Sequence, residues 1–188
     1  MTSAMTIYHI NHAGFAEGAQ LIASPNFDAR PLDTSSGILA NICLIVIHNI
    51  SLPPSQFGGN GIIELFTNQL DPVEHPYYAQ IHTFKVSAHF LIRRDGTLIQ
   101  FVSCLDRAWH AGASNWHGRE RCNDFSVGIE LEGSDFEAFK PEQYQTLNNL
   151  IAGIKASYPI QSIVGHSDIA PGRKTDPGPY FDWQQVIA

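Results

Sequence analysis

The apolar positions of this chain change period along its length, and the changes predict its elements. Ile42 to Ile47 is a short, continuous, β-branched run ending at His48, the pattern of a strand buried on both faces. Pro53-Pro54 and Gly58-Gly59 then mark a loop. Asn60 can cap a helix on which Ile62, Ile63, Phe66 and Leu70 share one face, stopped by Asp71-Pro72. Asp95-Gly96 lies between two apolar-rich runs within residues 87–102 and predicts a hairpin. Phe125, Val127, Ile129 and Leu131 alternate with Ser126, Gly128 and Glu130, giving a strand with one greasy face and one small or polar face. Pro141 opens a helix carrying Tyr144, Leu147, Ile151 and Ile154 at helical spacing. Ile163-Val164-Gly165 forms a last short strand, ending at His166. Strands interleaved with helices and one hairpin predict an α/β fold with a mixed sheet, one domain spanning residues 1–188. Residues 1–40 are irregular, with turn signals at Ser24-Pro25-Asn26 and Arg30-Pro31, and are expected to pack as coil on a core of about 41–185.

Composition narrows the classes. Eleven Lys and Arg against 18 Asp and Glu give a net charge of −7, which argues against a nucleic-acid partner or an anionic-membrane surface. The apolar runs are far too short to span a bilayer, and residues 1–15 lack the pattern of a secretory signal, so a cytoplasmic location is expected. Cys43, Cys104 and Cys122 match no disulfide or metal spacing. The number of subunits is not encoded in any visible pattern.

Nine histidines invite a search for a metal site. His48 and His166 both end buried strands, where sites collect in α/β sheets. In the extended segment before Pro177, Lys174 and Asp176 share a face. Two histidines and one aspartate would leave a fourth zinc position open to water. Each His can equally be a satisfied polar group at a strand end. Glu130, beside the small Gly128 and Ser126 that leave room for a ligand, is a candidate proton carrier or a solvated edge-strand carboxylate. Lys174 is a candidate oxyanion stabiliser or a surface cation beside Arg173. The long polar segment 103–124 holds Trp109, Trp116, Arg119 and Arg121. One Trp suits a sugar platform, the other a plug for the core, and arginines suit carboxylates. Eight basic residues cluster in sequence around the candidate site: Lys85, Arg93, Arg94, Arg107, Arg119, Arg121, Arg173 and Lys174. They are expected to form a positive funnel for an anionic ligand. His89 is read as structural, and His110 and His117 as residues of a loop too flexible to anchor a metal. A thiol–imidazole pair of Cys104 or Cys122 with His110 stays open as a rival chemistry.

The segments 46–54, 87–89, 107–112, 118–133 and 165–179 together resemble the zinc-dependent N-acetylmuramoyl-L-alanine amidases of the amidase-2 type. The resemblance covers about residues 20–185. It implies a central mixed β-sheet flanked by helices, a fold shared with peptidoglycan-recognition proteins. It also implies one zinc ion held by His48, His166 and Asp176, with Glu130 as general acid/base and Lys174 stabilising the oxyanion. Asn49, Trp109 and Arg121 fall at substrate-contacting positions. The implied reaction is hydrolysis of the muramyl–L-alanine amide of anhydromuropeptides in cell-wall recycling. The alternative it leaves is a recognition module that binds muropeptides without cleaving them.

Overall fold

The structure, a computed structural model, describes residues 7–32 and 41–186. In chain order the first elements are β1 (Gln20–Leu21), β2 (Phe27–Ala29), β3 (Leu44–Ile50), α1 (Gly61–Phe66), α2 (Pro76–Ile81), β4 (Phe90–Ile92) and β5 (Leu98–Gln100). There follow β6 (Asp106–Ala108), β7 (Asn115–Trp116), β8 (Arg119–Glu120), β9 (Ser126–Glu132), α3 (Pro141–Ser157), β10 (Ser162–Gly165) and α4 (His166–Ile169).

Six strands form one mixed sheet in the order β1-β5-β4-β9-β3-β10. All neighbours are parallel except the β4–β5 hairpin, which turns through Arg93–Thr97 around Gly96 at φ +84°. The period-2 alternation of β3 and β9 divides the sheet into two faces. Ile45, Ile47, Val127, Ile129 and Leu131 pack against Leu147, Ile151 and Ile154 of α3. Leu44 and Val46 point to the opposite face, beside Val164 and Ile169. The β3–β9 register pairs His48 with Glu130 and Val46 with Gly128. His48 and Glu130 are therefore side by side on the face away from α3.

Helix α3 begins at Pro141, and Lys140 N–H donates to the side chain of Gln143. The Gln143 amide donates in turn to the Glu132 and Ile92 carbonyls, fastening the helix start to the sheet. Each fully buried Leu or Ile on its inner face contributes roughly 1.5–3 kcal/mol.

Five expectations are corrected. The β3 strand does not end at His48 but carries it internally and runs to Ile50. Phe125 precedes β9 and packs beside Leu44 and Val46, on the face opposite Val127. Helix α1 stops at Phe66, short of Asp71. Asn68 takes φ +61°, and Asn68 N–H and Gln69 N–H return to the Leu65 and Glu64 carbonyls, a turn that ends a helix by itself. Asn60 stands at the N-cap position without a capping hydrogen bond. Finally, the first forty residues are not all coil: β1 extends the main sheet and β2 pairs with β6. Residues 1–6 and 33–40 of that segment lie outside the described residues.

Candidate active site

His48 enters the site from β3, His166 from the first residue of α4, and Asp176 from the segment that follows it. The Asp176 carbonyl accepts from Ser167 N–H, which ties that segment to the helix. His48 Nδ1 lies 3.0 Å from His166 Nδ1, and Asp176 Oδ2 lies 3.0 Å from each. Both imidazoles are buried and the carboxylate is partly so.

The outer nitrogens decide what the inner ones carry. His166 Nε2 is 3.0 Å from the Ala111 carbonyl, which can only accept, so Nε2 bears a proton and, in the neutral ring that a metal requires, Nδ1 a lone pair. His48 Nε2 is 2.9 Å from His110 Nδ1, and His110 Nε2 is 3.1 Å from Ser126 Oγ. With His48 Nε2–H donating to His110 and His110 Nε2–H donating to Ser126, His48 Nδ1 also carries a lone pair. Burial keeps the His48 imidazole neutral, its pKa pushed down to about 4, and pushes His110 well below its ordinary value. Three lone pairs 3.0 Å apart repel one another unless a cation lies between them. Their spacing is near the edge of ~3.3 Å expected for a tetrahedron with zinc bonds of ~2.0 Å. This donor set of two nitrogens and one carboxylate oxygen fits zinc.

Glu130 is 8% exposed, and its Oε2 has no hydrogen-bond partner among the described residues. Burial, and then the nearby Asp176 charge, push its pKa well above the ordinary carboxylate range. It is not a solvated edge residue, because β9 lies between β3 and β4. His48, His166, Asp176, Glu130, His110 and the exposed Lys174 line one cavity of about 400 Å³. Asn49 and Trp109 line it too, and Leu65, Phe66, Ile81 and Val86 form an apolar wall. Asn49 also donates to Asp135 and to the Pro177 carbonyl, bracing the segment that carries Asp176.

Other candidates fall elsewhere. Arg121 is exposed and does not line this cavity. It borders a separate depression with Ser114, Asn115 and Glu120. Trp116 packs beside Phe125 and Cys122 as the core plug, with the exposed His117 against its ring. The positive funnel is largely absent, because its arginines are engaged. Arg107 pairs with Asp28 and Asp124, Arg94 with Glu137, and Arg93 with Glu132. Arg119 lies over the Phe125 ring, and Arg173 holds the Ala111 and Ala113 carbonyls. Cys104 and Cys122 are buried outside the cavity, and burial pushes the Cys104 thiol up to about 12, far from a thiolate nucleophile.

His110, read from sequence as part of a flexible loop, is anchored in the structure. Its ring occupies the space that the missing Cβ of Gly128 leaves: a Cβ there would meet the ring at 2.4 Å. Asn123 accepts from the N–H groups of His110 and Ala111, so the loop is anchored where the imidazole leaves it. Small residues on β9 thus make room for a histidine of the protein itself. Tyr77 also lines the cavity, and a lone Tyr on a short helix carries no distinguishing pattern in sequence.

Three converging metal-type donors beside a buried carboxylate make the arrangement of a metal-assisted hydrolase. The N-acetylmuramoyl-L-alanine amidase family matches residues 39–179, and the chain belongs to it. It is 52% identical over 172 residues to the 1,6-anhydro-N-acetylmuramyl-L-alanine amidase AmpD of Escherichia coli K12, covering 90% of this chain and 91% of that protein. A crystal structure of a selenomethionine derivative of AmpD superposes with a TM-score of 0.88 at 50% identity, covering 93% of this chain and 98% of the other. The E. coli amidase AmiD, solved with anhydro-N-acetylmuramic acid-L-Ala-D-γ-Glu-L-Lys, matches with a TM-score of 0.58 at 30% identity, over 85% of this chain and 64% of its own.

Proposed function

We propose that this protein is a zinc-dependent amidase of peptidoglycan recycling. It hydrolyses the amide between the lactyl group of 1,6-anhydro-N-acetylmuramic acid and L-alanine in soluble wall fragments. The observation that carries this is the convergence of lone pairs from His48, His166 and Asp176 beside the unpartnered Glu130 carboxylate. The likeness to AmpD supports the substrate, and the ligand of AmiD supports it further. The three free cysteines accord with a reducing compartment, the cytoplasm. Among the described residues no helix is long and apolar enough to cross a membrane.

Bound zinc would supply Lewis acidity to the scissile carbonyl and the attacking water. Glu130 accepts the proton of that water and returns it to the leaving amine. Lys174, at the cavity lip, places its ammonium where negative charge develops on the carbonyl oxygen. Trp109 provides a face for the sugar and Asn49 a polar contact, while Arg121 meets a carboxylate of a longer peptide beyond the cavity. His110 fixes the tautomer of His48. His110→Ala is therefore expected to weaken zinc affinity about 10–100-fold, the usual scale for such outer partners, measured by competition with a chelating dye. An unchanged affinity would remove His110 from the zinc site.

The substrate reading is tested by comparing soluble anhydromuramyl tripeptides with intact sacculi at equal concentrations of muramyl–alanine bonds, products followed by mass spectrometry. Faster cleavage of the soluble fragments is expected. Equal or faster release from sacculi would replace recycling with wall remodelling.

A further inference from the structure

We propose that Asp28, in the segment preceding the family's matched stretch, is a positioning residue that sets substrate affinity by holding Trp109. The inference rests on the reading of Trp109 as a sugar platform. Asp28 lies in β2, whose antiparallel register with β6 puts it opposite Arg107. Its Oδ1 accepts from Trp109 Nε1 at 3.1 Å and from Arg107 Nε at 2.6 Å, and its Oδ2 accepts from Arg107 Nη2 at 2.5 Å. Arg107 is itself fixed by Asp124 at 2.6 Å. The hydrogen bonds from Arg107 hold the Asp28 carboxyl below the usual carboxylate range, so the acceptor stays anionic.

The backbone of Trp109 is secured separately. Its N–H donates to Ser87 Oγ and its carbonyl accepts from Ser87 N–H. With the backbone held by Ser87, the remaining freedom of the indole is rotation about its side-chain torsions. The hydrogen bond to Asp28 removes that freedom, directing the polar edge of the ring at β2 and leaving the ring as part of the cavity wall. A platform fixed before binding loses less entropy when the ligand arrives. The amidase family matches from residue 39, so this anchor lies outside the stretch that defines the family.

The test measures KM, kcat, zinc content and Tm for Asp28→Ala, Trp109→Ala and the double variant, with an anhydromuramyl tripeptide as substrate. Asp28→Ala should raise KM roughly three- to tenfold, the scale of one net hydrogen bond, with kcat and zinc content unchanged. The double variant should be no worse than Trp109→Ala, and Asp28→Asn, which keeps an acceptor oxygen, should recover most of the affinity. Trp109→Phe, which keeps a ring but loses the indole N–H, probes the same bond from its other end and should also raise KM, even if Asp28→Ala does not fold. A parent-like KM in Asp28→Ala or Trp109→Phe, or a double variant in which both effects multiply, overturns the positioning role while Trp109→Ala still raises KM. A parent-like KM in Trp109→Ala overturns the platform reading and this proposal with it.

Discussion

Glu130→Ala is expected to yield a folded, zinc-loaded protein whose kcat falls about 10²–10⁴-fold while KM stays within a few-fold, because a general acid/base acts on the proton and not on the bound ground state. The buried environment sharpens the expectation. Since Oε2 has no partner among the described residues, removing the carboxylate breaks no hydrogen bond at that atom and relieves the desolvation of a charge. The Tm of the variant should therefore equal or exceed that of the parent. Steady-state kinetics, elemental analysis and calorimetry on one preparation decide the matter. A kcat near the parent's would move the proton-transfer role to another side chain, and a Tm well below the parent's would overturn the account of Glu130 as an unpartnered buried carboxylate.

A larger loss is expected for His166→Ala. Two donors would remain, His48 Nδ1 and Asp176 Oδ2, and elemental analysis should find zinc largely absent. Activity should then fall to background. The parent, by contrast, should lose thermal stability when stripped by a chelator, since a ligand bound only to the native state contributes about 4 kcal/mol at a thousandfold excess over its Kd. His166→Ala should show no response to the same chelator. Zinc retained at one equivalent, with a chelator response like the parent's, would exclude His166 as a ligand.

The parts of this molecule that were legible in its sequence are those governed by local periodicity. The alternation in 126–131 places Glu130 on the small, polar face, and the 3.6-residue spacing from Pro141 identifies α3. The strand containing His48 runs two residues further than the apolar run implies, yet that run does deliver His48 to the edge of the core where it meets His166 and Asp176. What was not legible depended on partners distant along the chain. β1 and β2 have two and three residues, too few for a period to register. The arginines looked like a funnel because sequence proximity cannot reveal that Asp28 lies 79 residues from Arg107 and beside it in space. His110 looked mobile because its anchor is an absence, the Cβ that Gly128 does not have.

Arg30 carries a mechanical consequence. Its buried guanidinium donates to the carbonyls of Cys104, Asn123, Asp124 and Ser126, and burial lowers its pKa only to about 10, so it remains a cation at neutral pH. Those four carbonyls bracket the stretch that bears Trp109, His110 and Ala111. Peeling this stretch from the sheet would break charge-assisted hydrogen bonds worth roughly 1.5–3 kcal/mol each. The wall of the cavity that holds the His110 brace is thus the stationary jaw. The opposite wall, formed by the short helices α1 and α2, presents Leu65, Phe66, Tyr77 and Ile81 to the cavity, and its fastening is of another kind: the Phe66 carbonyl accepts from Ser24 Oγ and Asn26 Nδ2, neutral hydrogen bonds with no buried cation behind them.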